Sequence, residues 1–480
     1  MPHDSTPHLP VFSANPDYDF EIRTVLGHSP EGASDPGEVL AATAGIAKGD
    51  HRAWFAAWLA LAERTLETAD AAASAAHRVS AAGAYLRASA YFGVAVNAVS
   101  ALDDTAVLAP TFAKQRAAWE SFVDHAAVDV ERVAIPYEGT TLPGFFFRPT
   151  APADVAVGTP RADPAVGAAS AGTAPADPAV GITVGTTVGT TTGTTAATPG
   201  KTLVAVNGSD GSLAALWASC VSAALKRGYA VLVFDGPGQQ SQLFDQNVPF
   251  RPDWENVLTP VFDFVAALPA VDPTRIAVYG ISQGGFWVAR ALTAEHRFAA
   301  AIADPGVVDV SASWTAHIPK GLVKLLDENQ NEKFVRDMRL GMKFSPDTAR
   351  TWTFRARPYG TSGYAETLEA VRRYTLTDRA AQITTPLLIT DPESEQFWPG
   401  QSQRLADLTP GISTLIHFTA AEGASEHCQP LARTLTAERM FDWLDDRLAA
   451  PTETLADPAE AGLAGHTAPH TAPQTSTGTP

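Results

Sequence analysis

One stretch of the sequence decides the fold, and it reads Gly280-Ile281-Ser282-Gln283-Gly284-Gly285. An apolar run at residues 275–279 precedes it and a helical pattern at residues 286–293 follows it, so the stretch connects a strand to a helix. A serine on such a tight turn has strained backbone dihedrals, and neighbouring glycines remove side chains that would clash there. The pattern predicts that the Ser282 hydroxyl is exposed at the edge of a sheet, where helix N-terminal amides favour negative charge.

Similar apolar runs lie on both sides of this strand and alternate with helical stretches. The runs occupy residues 203–206, 230–234, 275–279, 298–303, 386–390 and 414–418, and the clearest helical stretches are 213–226 and 254–267. This alternation predicts an α/β fold, with a mostly parallel sheet flanked by helices on both faces. Residues 130–135 and 142–147 read as a β-hairpin that precedes the parallel strands.

The other segments divide the chain into four further parts. Residues 1–129 are predicted to form a helical N-terminal cap, and residues 305–385, with amphipathic stretches at 322–334 and 367–374, a helical lid inserted in a hydrolase domain at 130–449. Residues 149–200 hold 15 Gly and Pro but no aromatic side chain, and residues 450–480 are similar in character. Neither segment can bury enough apolar surface to order itself, so both are predicted to be disordered.

Composition excludes several classes of function. Lys and Arg number 34 against 52 Asp and Glu, which gives a net charge of −18 and argues against nucleic acid or an anionic membrane as partner. No apolar run is long enough to span a bilayer and the first residues do not resemble a signal peptide, so we expect a cytoplasmic protein. The only cysteines, Cys220 and Cys428, argue against a disulfide framework or a thiolate metal site, and no cofactor is expected.

A serine hydroxyl is a weak nucleophile until a base takes its proton, so a histidine must reach the same sheet edge. Of the 12 histidines, only His427 follows the last predicted strand and precedes the last helix. It is therefore the predicted base, whereas His417 lies inside a strand and is interpreted as structural.

The third partner is a carboxylate that orients the histidine, and it is expected after the strand at 386–390. Because this acid usually lies several residues beyond the strand end, Glu395 is the first choice and Asp391 the second. Asp304, at the end of the preceding strand, is another carboxylate that can reach the same histidine. The sequence leaves this choice open.

An oxyanion hole needs two backbone N–H groups that point at the developing negative charge. Gln283 follows the nucleophile and supplies the first. The turn Asn207-Gly208-Ser209-Asp210-Gly211 follows an earlier strand, and Ser209 is the best placed second donor.

Together these motifs resemble the α/β-hydrolase superfamily over roughly residues 130–449. The chain also resembles one subgroup of this superfamily more narrowly. The features that carry this resemblance are the N-terminal helices and two motifs, Phe234-Asp235-Gly236-Pro237-Gly238-Gln239 and Glu426-His427-Cys428. That subgroup contains the 2,6-dihydroxypseudooxynicotine hydrolases, the fungal polyketide-shortening pigment hydrolases and the fermentation-respiration-switch-type esterases. It usually carries an aspartate near the position of Ser394, which keeps the acid assignment open.

The resemblance implies a serine hydrolase that uses no metal and cleaves an ester, or a carbon–carbon bond next to a ketone, in a small or medium carbonyl substrate. It also implies N-terminal helices packed over the active site, and a homodimer in some members. An acyltransferase or peptidase on the same fold is the alternative, and a non-catalytic binding protein is the weakest one. Six aromatic residues of the lid are candidate pocket residues, namely Trp314, Phe334, Phe344, Trp352, Tyr359 and Tyr364.

Overall fold

A single twisted sheet organises the protein. The computed structural model describes residues 10–149 and 200–449. The predicted disordered segments at 149–200 and 450–480 lie outside these ranges, except for Pro149 and Gly200, and Gly200 is already the first residue of a strand.

The sheet contains every strand that the sequence predicts. Its strands are β1 (Asp129–Tyr137), β2 (Thr140–Arg148), β3 (Gly200–Val206), β4 (Ala230–Phe234), β5 (Val271–Ile281), β6 (Ala300–Asp304), β7 (Leu387–Pro392) and β8 (Ser413–Phe418). Their order is β1-β2-β4-β3-β5-β6-β7-β8. The hairpin β1–β2 and the pair β2–β4 are antiparallel, and the other neighbours are parallel. The predicted α/β-hydrolase architecture is therefore confirmed.

Both faces of the sheet are buried because its central strands are apolar at consecutive positions. Alternate residues such as Val204 and Val278 belong to one core, and their neighbours Leu203 and Ala277 belong to the other. Helices that follow the strands cover both faces: α6 (Leu213–Leu216) and α7 (Ser222–Lys226), joined by a π-helical turn, α8 (Gln240–Phe244), α9 (Glu255–Ala266), α10 (Gln283–Ala291), α16 (Gln401–Leu408) and α17 (Arg433–Arg447). This packing fixes the strand ends, from which the polar loops extend.

Within residues 10–129, the N-terminal cap contains five α-helices with a core of their own, rich in Trp, Tyr and Phe. They are α1 (Pro16–Gly27), α2 (Pro36–Thr43), α3 (His51–Ser74), α4 (Arg78–Ala98) and α5 (Leu108–His125). The sequence pattern indicated helix only from residue 36 onward, so α1 is an addition. Asn15 caps it by accepting from the Asp17 N–H, and Pro16 occupies its first turn.

The lid lies between β6 and β7 and has a small separate core. Its helices are α11 (Ser311–Thr315), α12 (Lys320–Asp327), α13 (Asn331–Met342), α14 (Pro346–Ala356) and α15 (Tyr364–Val371). The amphipathic stretch at 322–334 is two helices rather than one, because the chain reverses at Asn329, whose φ is 57°. Two of the aromatic residues proposed for the pocket lie elsewhere: Phe334 is fully buried in the lid core, and Phe344 is 81% exposed to solvent. Neither side chain therefore lines a pocket inside the lid.

The last residue of β2 and the first residue of β3 lie at the same edge of the sheet. Because β2 is antiparallel to β4, its last residues pair with the start of β4, as Phe147 does with Val231. Gly200 pairs with Val271 at the start of β5. Both chain ends that flank residues 150–199 therefore lie at the edge formed by the amino ends of the parallel strands.

Candidate active site

Ser282 lies at the junction of β5 and α10 in a conformation that few residues adopt. Its φ is 56° and its ψ is −127°, and the turn is tight enough that its glycines touch neighbouring backbone. A Cβ on Gly280 would lie 2.2 Å from the Gly284 carbonyl oxygen, and one on Gly284 would lie 2.8 Å from that of Asn207. Only glycine fits at these positions, which is the physical reason for the motif.

Three predicted residues form one hydrogen-bonded chain at the carboxyl edge of the sheet. His427 Nε2 lies 2.9 Å from Ser282 Oγ, and His427 Nδ1 lies 2.8 Å from Glu395 Oε2 and 3.0 Å from Oε1. Glu395 follows β7 and His427 follows β8, so loops at adjacent strand ends bring both to Ser282. This is the geometry in which a histidine takes a serine proton while a carboxylate fixes its tautomer.

Glu395 is buried yet held as a carboxylate. Its Oε1 accepts hydrogen bonds from the backbone N–H groups of Phe397 at 2.9 Å and Trp398 at 3.1 Å. Burial favours the neutral acid, but the nearby His427 charge and these hydrogen bonds outweigh it and lower the pKa of Glu395 below its usual range. The carboxylate is thus ready to accept from the imidazole.

His427 lies in a mostly aromatic pocket and is 5% exposed. The Phe397 ring lies 4.8 Å from the imidazole and that of Trp398 5.6 Å, while Phe20 of the cap lies 6.4 Å away. Burial disfavours protonation, but the Cys428 sulfur and the Glu395 carboxylate favour it, and together they raise the pKa of His427 above its ordinary value.

The two alternative acids have other partners. Asp391 lies 2.7 Å from His417 Nδ1 at the surface. Asp304 is fully buried and pairs at 2.9 Å with Arg433, which also donates to the Cys428 carbonyl at 2.8 Å. Neither carboxylate forms a hydrogen bond with His427 among the described residues, so of the three candidates only Glu395 contacts the imidazole.

The turn predicted as the second half of the oxyanion hole lies against Ser282. A Cβ on Gly208 would lie 2.8 Å from Ser282 Cβ and 3.3 Å from its Oγ. Asn207 shapes this turn, because its amide oxygen accepts from the Gly208 N–H and its amide nitrogen donates to the Ser212 carbonyl. Within the described ranges, neither the Gln283 nor the Ser209 N–H donates a hydrogen bond to another residue.

Two arginines near the site were missed by sequence reasoning. Arg433 and Arg23 are 5% and 6% exposed, and each contacts a residue adjacent to His427. Tyr359, one of the lid aromatic residues that the sequence suggested for the pocket, donates to the Gln283 amide oxygen at 3.3 Å and so contacts the residue after Ser282. A buried arginine is a signal for a paired partner, but the sequence does not identify that partner.

Other kinds of site find no support in the described part of the chain. Between residues 10–149 and 200–449, no three His, Cys, Asp or Glu side chains cluster as metal ligands. Over the same ranges, no helix combines the length and the hydropathy that crossing a bilayer requires.

Comparisons with known proteins identify the superfamily. A model of the prolyl oligopeptidase family matches residues 217–340, which include Ser282. The α/β-hydrolase xenA of Xenoacremonium sinensis is 32% identical over 326 residues, covering 66% of each chain. The chain belongs to the α/β-hydrolase superfamily. The hydrolase LUC6 of a Fusarium species is 28% identical over 452 residues, which cover 89% of this α/β-hydrolase and 96% of LUC6.

A solved structure shows the same fold over nearly the whole chain. The crystal structure of the 2,6-dihydroxy-pseudo-oxynicotine hydrolase superposes with a TM-score of 0.62 at 18% identity, covering 88% of this α/β-hydrolase and 95% of that chain. The predicted fold and superfamily are confirmed, and the protein is a serine hydrolase of the α/β fold.

Proposed function

We propose that this α/β-hydrolase cleaves an ester, or a carbon–carbon bond next to a ketone, in a small or medium carbonyl substrate through an acyl-enzyme on Ser282. One observation carries the proposal: Ser282, His427 and Glu395 form an unbroken hydrogen-bonded chain with contacts of 2.9 and 2.8 Å. These contacts support proton transfer from Ser282 to His427 with Glu395 orienting the imidazole.

In the first half of the reaction, Ser282 Oγ attacks the substrate carbonyl carbon and its proton moves to His427 Nε2. The carbonyl oxygen becomes an oxyanion, which the N–H groups of Gln283 and Ser209 would stabilise. The intermediate then expels either an alkoxide or an enolate, and the His427 imidazolium returns the proton to that leaving group. The Glu395 carboxylate stabilises the imidazolium throughout.

In the second half, His427 takes a proton from a water molecule whose oxygen attacks the acyl carbon. The second tetrahedral intermediate collapses, Ser282 Oγ leaves and regains its proton from His427, and a carboxylic acid is released. An ester and a β-diketone both fit this scheme, because each needs one oxyanion stabilised and one leaving group protonated. The resemblance to the pseudooxynicotine and pigment hydrolases supports the carbon–carbon option.

The match of residues 217–340 to the prolyl oligopeptidase family favours a peptidase as the second candidate. An acyltransferase would differ only in the acceptor of the acyl group. Partition between water and an added alcohol separates hydrolase from acyltransferase, and peptide p-nitroanilides test for the peptidase. A cytoplasmic location and a homodimer remain part of the proposal, and sedimentation equilibrium tests the dimer.

The decisive experiment is labelling with a fluorophosphonate, which forms a bond with an activated serine. We expect a single adduct on Ser282 in the wild-type protein and none in Ser282→Ala. A panel of aryl esters and aromatic β-diketones then identifies the bond that is cleaved, with Ser282→Ala as control. A folded wild-type protein that forms no adduct at Ser282 would refute the proposed enzyme.

A further inference from the structure

The loop that carries His427 is strained and needs external support. The two residues after the histidine, Cys428 and Gln429, have φ angles of 55° and 45°, a region that non-glycine residues seldom adopt. Such conformations cost about 1–3 kcal/mol each and persist only where surrounding contacts enforce them. The conformation of this loop therefore depends on the contacts on either side of His427.

Two buried arginines bracket the histidine. On the side of the sheet, Arg433 of α17 donates to the Cys428 carbonyl at 2.8 Å. On the side of the cap, Arg23 of α1 pairs with the Glu426 carboxylate at 3.2 Å. The residues immediately before and after His427 are thus held by two different elements, α1 and α17.

The cap contact is built along one face of α1. Phe20, Arg23 and Gly27 are spaced three and four residues apart and so lie on the same side of the helix. Phe20 packs on Phe397 at 5.8 Å, and a Cβ on Gly27 would lie 1.6 Å from the carbonyl oxygen of Pro430. The helix backbone touches the histidine loop as closely as a glycine allows.

Arg23 is itself fixed in place. Its Nε donates to Asp19 at 2.8 Å and its Nη2 donates to the Pro10 carbonyl at 3.2 Å, and its side chain is 7% exposed. A guanidinium held by several acceptors has little freedom to follow a moving partner. It therefore constrains Glu426 rather than merely neutralising it.

We propose that Arg23 is a positioning residue that acts through Glu426 to keep the His427 imidazole aligned with Ser282. The proposal rests on the proposed function, since alignment matters only if His427 is the base. It gives the cap a part in proton transfer, beyond covering the substrate. A displacement of about 1 Å in such a group can cost about 100-fold in rate.

The test compares Arg23→Gln with a matched control in the same cap. Arg87→Gln removes an arginine that pairs with Glu38 at 3.0 Å and does not touch the histidine loop. We measure the second-order rate of fluorophosphonate labelling, kcat and KM with p-nitrophenyl butyrate, and thermal unfolding. Arg23→Gln is expected to lower the labelling rate and kcat at least 10-fold with KM within about twofold, whereas Arg87→Gln leaves both rates within twofold.

A second variant and a double mutant make the test specific to the Arg23–Glu426 pair. Glu426→Gln keeps the shape of the side chain and is expected to slow labelling as much as Arg23→Gln does. It tests the same ion pair if Arg23→Gln does not fold. The double variant should be no slower than the slower single one, because both remove one interaction. Arg23→Lys keeps the charge and should recover part of the rate.

The outcomes separate the two proposals. Wild-type labelling rates in folded Arg23→Gln or Glu426→Gln would overturn the role of Arg23 while leaving the proposed function intact. Equal losses in Arg23→Gln and Arg87→Gln would also overturn it, by showing a general effect of the cap. If the wild-type protein itself is not labelled at Ser282, the proposed function fails, and the role of Arg23 fails with it.

Discussion

The variant Glu395→Gln gives the most direct test of the proposed acid, because the structure says where each atom of the new amide must lie. Glu395 Oε1 accepts from the backbone N–H groups of Phe397 and Trp398. An amide can satisfy both donors only with its oxygen, so its NH2 group takes the place of Oε2, 2.8 Å from His427 Nδ1. The shorter contact to Nδ1 then joins two donors, and the amide oxygen, 3.0 Å from Nδ1, is already shared by the two backbone donors.

The imidazole relieves this conflict by moving its proton from Nδ1 to Nε2. Nε2 then has no lone pair for the Ser282 proton, and the base is lost. A wrong tautomer of this kind costs about 10⁴-fold in kcat in a serine protease, or about 5.4 kcal/mol at about 1.36 kcal/mol per tenfold change. We expect a loss of about 10³- to 10⁴-fold for Glu395→Gln, with KM changed far less.

The assay measures kcat and KM with p-nitrophenyl butyrate and uses thermal unfolding to verify the fold. Asp391→Asn is the matched control, because Asp391 pairs with His417, whose side chain is 66% exposed. Exposed pairs contribute about 0–1 kcal/mol, so this variant should keep kcat within about twofold. A Glu395→Gln enzyme within tenfold of wild-type kcat, or an equal loss in Asp391→Asn, would refute the assignment of the acid.

Three further predictions concern stability and geometry. Asp304→Asn leaves a buried arginine unpaired and should lower the free energy of unfolding in urea by about 3–5 kcal/mol. Gly208→Ala adds a methyl group 2.8 Å from Ser282 Cβ and should slow fluorophosphonate labelling at least 100-fold, whereas Gly321→Ala, with nothing within 4 Å, should not. Burial, aided by a nearby arginine charge, lowers the pKa of His28 to about 4, so the unfolded chain binds the proton first as pH falls. The free energy of unfolding should decrease by about 3 kcal/mol between pH 6.5 and 4, and less in His28→Gln.

For each of these predictions, one result would contradict it. An Asp304→Asn protein within about 1 kcal/mol of wild type would show that the buried pair does not stabilise the fold. Equal labelling rates for Gly208→Ala and Gly321→Ala would show that the turn at Asn207 tolerates a side chain. An unchanged pH dependence in His28→Gln would assign the acid sensitivity to other groups.

The sheet and the turn that carries Ser282 could be predicted because their signals are local. Each strand is a short apolar run, and the Ser282 turn needs its glycines within a few residues of the serine. The acid could not be settled in this way. Glu395, Asp391 and Asp304 all follow or end neighbouring strands, and which one meets His427 depends on the course of the loop after β7.

The cap and lid contacts were beyond reach for a related reason. Helix α1 is short and amphipathic in a weakly apolar segment, and its link to the site is an ion pair 403 positions apart in sequence, between Arg23 and Glu426. Aromatic composition alone did not distinguish Tyr359, which contacts Gln283, from Phe334, which fills the lid core. Both distinctions depend on tertiary packing, which no periodicity records.

The sheet edge at which residues 150–199 depart has a practical consequence. The flanking residues, Arg148 and Gly200, lie at the amino ends of the parallel strands, whereas Ser282, Glu395 and His427 lie at the carboxyl ends. Only β4 separates β2 from β3, so a linker of a few residues can bridge about two strand spacings, roughly 10 Å. This position is therefore suited to engineering, because a fluorescent reporter or an immobilisation tag can replace residues 150–199 there. The insertion would lie at the opposite edge of the sheet from Ser282, Glu395 and His427.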